Sequence, residues 1–191
     1  MSDGARILVV SATARECAAP DGWRTLRCGV GPVEAAAATA AEIARERPSL
    51  ILHVGIAGAR RARGILPTTL VIGTESRYCD LGVSPKFAPH VVATAPGLVA
   101  AAQRALPAAL VLPIGTSARI GGTTGCDVEA MEGFGVLRAA QRAGVRAIEV
   151  RAISNDIEET DRTRWHADAA FAVITAATPT LVTELARMRE A

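Results

Sequence analysis

The chain has 191 residues, with 21 Lys and Arg against 19 Asp and Glu for a formal net charge of +2, and it is 50% hydrophobic but only 3% aromatic. Charge this balanced, with neither sign gathered into a block, excludes the basic patches that nucleic acid or an anionic membrane surface would need. Four cysteines at 17, 28, 79 and 126 form no CxxC pair or disulfide-scaffold spacing, which leads us to expect a reducing, cytoplasmic compartment.

Taken in chain order, short β-branched runs alternate with helical patterns, as in layered α/β architecture. "RILVVSA" (6–12) predicts a strand. A helix begins at Pro32, runs through "VEAAAATAAEIARER" and stops at Pro48, following the proline preference for helix ends. "LILHVGIAG" (50–58) reads as a buried strand entering a glycine turn, and "TTLVIGTES" (68–76) as another strand. Residues 97–106 look helical, while "ALVLPIG" and "SARIGG" look like strands. The segment 128–143 predicts a helix closed by Gly144, opening with Glu129, Met131 and Glu132. "VRAIEVRAIS" (145–154) is a strand whose apolar pattern Arg151 interrupts, and a last helix covers roughly 167–188. With no repeat or linker, one domain over 1–191 is expected. "ILVV" after the N-terminal "MSDGAR" is too short for a secretory apolar segment. Other apolar runs are broken before transmembrane length, so no membrane association is expected.

In open α/β sheets ligands bind beyond the C-terminal ends of the strands. Four such ends carry polar or glycine-rich sequence: Ser11 to Glu16, Gly55 to Gly58, Glu75 to Asp80, and Ser154 to Trp165. The scarcity of aromatic residues makes each one, Phe134, Trp165 and Phe171 included, a candidate for core filling or for ligand contact.

Together with "VEAMEG" (128–133), these ends resemble the purine nucleoside phosphorylase and nucleosidase superfamily. Within it the chain is most similar to the futalosine hydrolases, relatives of the methylthioadenosine/S-adenosylhomocysteine nucleosidases. The most specific pieces are "VEAMEG" and "RAISNDIEETDRTRW" (151–165), supported by "CGVGPVEAA" (28–36), "HVGIAGA" (53–59) and "ESRYCDLG" (75–82). The resemblance implies a nucleoside phosphorylase-like fold, a three-layer αβα sandwich with a mixed central sheet. It also implies cleavage of an N-glycosidic bond through a ribosyl cation-like transition state, on a small-molecule nucleoside.

That chemistry needs a carboxylate on the ribose hydroxyls, a base for the attacking water and a group to receive the leaving purine. The resemblance assigns Glu132 to the ribose, with Met131 against the sugar face, and Glu16 to the water. Glu129 matches a second motif carboxylate, which either meets substrate or binds backbone. Asn155 stands where adenine-specific nucleosidases carry aspartate. Its amide can donate to a 6-oxo group and accept from a protonated N7, which implies a hypoxanthine-type base. A shift of one residue would bring in Asp156 instead, but neighbours in extended chain point to opposite sides. Gly55, Ile56, Ala57 and Gly58, with Gly29 and Gly31, would bring backbone close to the ligand. Trp165 would close over the base or over the carboxyphenyl tail of futalosine, whose carboxylate Arg162 or Arg164 would meet. Thr123 and Thr124 would line the pocket, Phe134 is a further candidate for the stacking face, and Arg77 and Asp80 would pair to order a loop. The histidines at 53, 90 and 166 lack metal-ligand spacing, so no metal or cofactor is expected. A homo-oligomer, at least a dimer, is implied by the resemblance alone. Three other functions stay open: a phosphorylase using Arg60, Arg61 and Arg63 to hold phosphate, an adenine-type nucleosidase, and a catalytically silent nucleoside-binding protein.

Overall fold

In the computed structural model, which describes residues 7–17 and 23–188, strand β1 (Ile7–Ser11) is buried along its whole length. Its side chains alternate between the sheet's two faces, the period-2 rule of extended chain. Ile7 and Val9 join one apolar cluster, and Leu8 and Val10 join another. Helices α2 (Pro96–Ala105) and α4 (Ala167–Ala186) cover the first with Leu98, Ala101, Ile174 and Leu181. Helices α1 (Pro32–Arg45) and α3 (Gly133–Arg142) cover the second with Ala35, Ile43, Val136 and Leu137. The result is the αβα layering, held by aliphatic side chains that each contribute about 2 kcal/mol on burial. Arg6, the first residue of the expected opening strand, lies outside the described residues.

The sheet is mixed. β2 (Arg24–Arg27), β1, β3 (Leu50–Ala59) and β8 (Arg146–Asp156) run parallel in that order. β8 then pairs antiparallel with the start of β4 (Leu70–Tyr78), and β5 (Val91–Ala93) follows on the same edge, antiparallel to the later residues of β4. β6 (Leu110–Thr116) runs parallel to β4, and β7 (Val128–Ala130) joins β6 in parallel and returns antiparallel to β3. The pairings β3–β8–β4–β6–β7–β3 therefore close into a ring. Its lining is small and aliphatic: Ala57, Ala59, Ile114, Val128 and Ile153.

Several elements differ from the sequence reading. The helix expected from 128 begins only at Gly133, because Val128–Ala130 pairs with strands on both sides, and those ladder bonds override local helix preference. "SARIGG" is loop rather than strand; Ser117 Oγ donates to Arg119 O at 2.7 Å and folds the chain back on itself. Residues 55–58 continue β3 instead of turning. The short strands β2 and β5 were not foreseen. α4 is long and apolar enough to cross a membrane by length and composition, unlike the interrupted runs read from sequence, yet its stripe of Ala170, Ile174, Leu181 and Leu185 packs into the core. Close contact of α1 with α3 requires Gly135, where a Cβ would stand 2.4 Å from Pro32 O.

Candidate active site

A cavity of about 280 Å³ opens where β1, β3 and β8 end, between the β7–α3 junction and the start of α4. Glu16, Glu132 and Asn155 all line it, although they stand in three distant parts of the chain. Ile56, Ala57, Gly58, Glu129, Met131 and Trp165 border the same space.

Glu16 ends a short 3-10 turn (Ala14–Glu16) that follows β1. Its Oε2 accepts from Thr13 N at 2.7 Å and from Thr13 Oγ1 at 3.1 Å, a reciprocal capping arrangement. Oε1 accepts from Ile56 N at a looser 3.4 Å. The side chain is thus fixed by one oxygen while the other faces β3 at the cavity.

Glu132 precedes the first residue of α3 without capping it. Oε1 accepts from Gly31 N at 3.2 Å and Oε2 from Arg151 Nη2 at 3.4 Å. Both contacts are long, so both oxygens retain lone pairs directed at the cavity. Gly31 reaches this carboxylate with φ of +95°, a conformation that favours glycine, and Pro32 then starts α1.

Glu129 corrects the picture of two acids on one helix turn. It stands on β7, and its two oxygens accept from Gly121 N and Thr123 N, each at 2.7 Å. It is thereby committed to backbone, and the loop it holds brings Ile120 to the cavity. Neither Thr123 nor Thr124 lines that space, and Phe134 packs on Tyr78 in the core with ring centroids 5.2 Å apart.

Asn155 owes its direction to an irregularity. β3 and β8 pair residue for residue up to Ala57 with Ile153, and then Gly58 pairs with Asn155, leaving Ser154 as an extra residue. Such a bulge re-aims side chains locally, and here Ser154 and Asn155, though consecutive, both face the cavity. Ser154 Oγ donates to Asn155 Oδ1 at 2.7 Å, and Asn155 Nδ2 donates to Asp156 O at 2.8 Å. One N–H and one carbonyl lone pair remain for a ligand. Asp156 is directed elsewhere, to Arg61 Nε at 2.9 Å.

The remaining side of the cavity is aromatic. Trp165 and Phe171 border it, with Arg162 Cζ 5.8 Å from the Trp165 ring and Arg15 Cζ 4.5 Å from the Phe171 ring. Arg15 is paired with Asp168, and Arg164 lies near Glu159 and Asp161. Arg162 lines the cavity with its guanidinium on the tryptophan face.

Some expected participants are absent from the lining. Gly55 lies behind it: a Cβ there would stand 2.2 Å from Arg151 Nη1 and 2.9 Å from Glu16 Oε1, so glycine makes room for those two groups rather than for ligand. Arg60 binds Cys126 O and Thr123 O, Arg61 pairs with Asp156, and Arg63 with Asp127, so the three arginines diverge. Arg77 pairs with Glu75 rather than with Asp80, which instead accepts from Ala118 N and lies 2.9 Å from Ser117 Oγ.

Arg151, in sequence only a break in an apolar strand, is wholly buried behind Glu132. Its Nε donates to Glu149 Oε1 at 2.8 Å, Nη1 to Ile56 O at 3.4 Å, and Nη2 is shared between Glu132 and His53 Nε2. His53 Nδ1 lies 3.0 Å from Val10 O, which can only accept, so Nδ1 carries the proton and Nε2 receives Arg151. Burial and the adjacent guanidinium hold His53 well below its usual range, hence neutral. The missed signal was a pair of opposite charges two residues apart in an otherwise apolar strand, which places both on one face. Burial and the nearby Glu132 charge also push the Cys28 thiol up to about 12, which leaves it un-ionised and unsuited as a nucleophile.

Comparison with known proteins gives the chain its family. Residues 25–187 match the model of the phosphorylase superfamily. The futalosine hydrolase of Streptomyces coelicolor is 35% identical, over 82% of this chain and 77% of its own. That of Acidothermus cellulolyticus is 36% identical, over 84% and 74%. Among solved structures, a methylthioadenosine/S-adenosylhomocysteine nucleosidase from Colwellia psychrerythraea in complex with adenine superposes with a TM-score of 0.82 at 18% identity, covering 94% of this chain and 95% of that one. Futalosine hydrolase of Helicobacter pylori gives 0.81 at 15%, covering 93% and 97%. This chain belongs to the phosphorylase superfamily and, within it, to the futalosine hydrolase family, and is an N-glycosyl hydrolase of nucleosides.

Proposed function

We propose that the enzyme hydrolyses futalosine, a 6-oxopurine nucleoside, and releases hypoxanthine in menaquinone biosynthesis. The observation that carries this reading is that Glu16, Glu132 and Asn155 face one cavity of about 280 Å³. Glu132 accepts hydrogen bonds from the ribose 2′- and 3′-hydroxyls. Its charge draws closer in energy to the sugar as the C1′–N9 bond breaks and the ring becomes cationic. Met131 supports the sugar face. Glu16 takes a proton from the water whose oxygen bonds to C1′. The purine leaves with the bond's electron pair and takes a proton at N7 from solvent water, and the proton collected by Glu16 returns to solvent, so that one water is consumed in all. Asn155 accepts from that N7–H and donates its free N–H to the 6-oxo oxygen.

The choice of amide over acid follows from the neighbouring backbone. An aspartate at 155 would set a carboxylate oxygen against the Asp156 carbonyl that Nδ2 now satisfies at 2.8 Å. On the same reading Trp165 and Phe171 flank the carboxyphenyl tail and Arg162 meets its carboxylate, while Glu129 acts by holding the 121–123 loop. The enzyme is taken to work in the cytoplasm without metal or cofactor, as at least a homodimer. The exposed apolar side chains of Val30, which borders the cavity, and of Val33 support that association.

Base release is to be measured from futalosine, inosine and methylthioadenosine, each with and without phosphate. Hypoxanthine released from futalosine at a rate indifferent to phosphate is the expected result. A requirement for phosphate would make the enzyme a phosphorylase, and preferred release of adenine would overturn the assignment of Asn155.

A further inference from the structure

Glu149 has no part in the reaction as described, yet it is a completely buried carboxylate on β8, two residues before Arg151 and on the same face. Its Oε1 takes the Arg151 Nε hydrogen at 2.8 Å, while Oε2 has no partner at hydrogen-bond distance among the described residues, the Ser76 hydroxyl lying near the carboxylate. The fold makes room for this side chain at Gly133, the residue after Glu132: a Cβ there would stand 2.1 Å from Oε2 and 2.4 Å from Oε1. Burying a half-satisfied carboxylate is costly, and an apolar side chain would avoid that cost.

The arrangement of Arg151 explains what the acid does. His53 is neutral and Ile56 contributes a carbonyl, so the negative charges in direct contact with the guanidinium are Glu149 and Glu132. Glu149 holds the short contact, at 2.8 Å, and Glu132 the long one, at 3.4 Å. The ordering matters, because a carboxylate locked in a tight ion pair has less charge and fewer lone pairs to offer a developing sugar cation.

We propose that Glu149 is a positioning residue: by taking Arg151 Nε and the larger share of its charge, it lets the guanidinium orient Glu132 without tying it up. This rests on the reading of Glu132 as the ribose carboxylate. Removing the Glu149 charge would let Arg151 close on Glu132. The effect falls on the chemical step, where the interaction of Glu132 with the sugar is strongest, more than on ground-state binding.

The test is steady-state kinetics of Glu149→Gln, Glu149→Asp, Glu132→Gln and the Glu132→Gln/Glu149→Gln double variant, on whichever nucleoside the base-release assay identifies. Glu149→Gln is expected to lower kcat at least tenfold with KM within threefold, and Glu149→Asp, which keeps the charge, to recover part of the loss. In the Glu132→Gln background the second substitution should add little, since its effect passes through Glu132. Wild-type kcat in a folded Glu149→Gln protein would overturn the proposal, as would an undiminished loss in the double variant. If Glu149→Gln fails to fold, Glu149→Leu, which removes the charge without leaving a buried polar group, decides: a lowered kcat at unchanged KM supports the role, and kinetics equal to wild type overturn it. Unaltered kcat in Glu132→Gln would instead sink the reading of Glu132 on which the inference stands.

Discussion

Two clusters of arginine and glutamate in this molecule use the same chemistry in opposite surroundings. On the rim, Glu42 of α1 accepts from Arg24 of β2 at 2.8 Å and from Arg45 at 2.7 Å; the Arg24 and Glu42 side chains are largely covered, 13% and 12% exposed, but Arg45 opens the cluster to solvent at 67%. In the interior, Arg151 meets Glu149 and Glu132, and all three side chains are almost fully excluded from solvent. At the rim the charges satisfy one another and gain a little stability. Inside, one Glu149 oxygen has no hydrogen bond among the described residues and the Glu132 contact is long, an arrangement that apolar residues of similar volume often match or exceed in stability. A cluster so poorly optimised for stability is better understood as serving the cavity it adjoins.

The sharpest break in the comparison comes from removing the buried cation. Arg151→Ala leaves Glu149 and Glu132 uncompensated and should cost about 3–5 kcal/mol in denaturant unfolding. A loss below about 1 kcal/mol would put the interior cluster on a par with the rim. Glu16→Gln and Glu132→Gln should each lower kcat/KM about a hundredfold to a thousandfold, about 3–4 kcal/mol, at nearly unchanged melting temperature. An equal loss of stability and activity would reduce these acids to structural groups. Asn155→Asp adds a charge to the buried side; hypoxanthine release should fall about tenfold, roughly 1.4 kcal/mol, and release of adenine from methylthioadenosine should rise relative to it. The smallest effect belongs to the rim. The Arg24 and Arg45 guanidinium groups hold the Glu42 carboxyl at about 2, below its ordinary 4.5. Its contribution is therefore complete above pH 4.5 and is lost as pH falls toward 2. Glu42→Gln should lower stability by about 1 kcal/mol at pH 7. The gap from wild type should close in melts run between pH 5 and 2.

How much of this was legible beforehand follows from the range over which each feature is determined. Helix α1 announces itself between Pro32 and Pro48 because its signals are local. The strands β1, β3 and β8 do so by β-branched composition. Strand β7 did not, since "VEA" forms three residues of ladder whose partners lie far away in β3 and β6. The motif acids were identifiable by their order along the chain. The commitment of Glu129 to Gly121 and Thr123 was not, because it depends on where a loop folds back. Arg151 was read as an interruption, for burial of a charge is visible only once its counter-charges are assembled around it.

The extra residue at Ser154 separates two properties that usually constrain each other. Upstream of it, eight parallel-paired positions keep β3 and β8 locked together as far as Ala57 and Ile153. Downstream, the side chain at 155 points inward without altering any of that pairing. On the proposed role of Asn155, substitution at this one site would redirect which purine the enzyme accepts while the interlocked strands beneath it stay as they are, giving descendants of this chain room to diversify in substrate without having to refold.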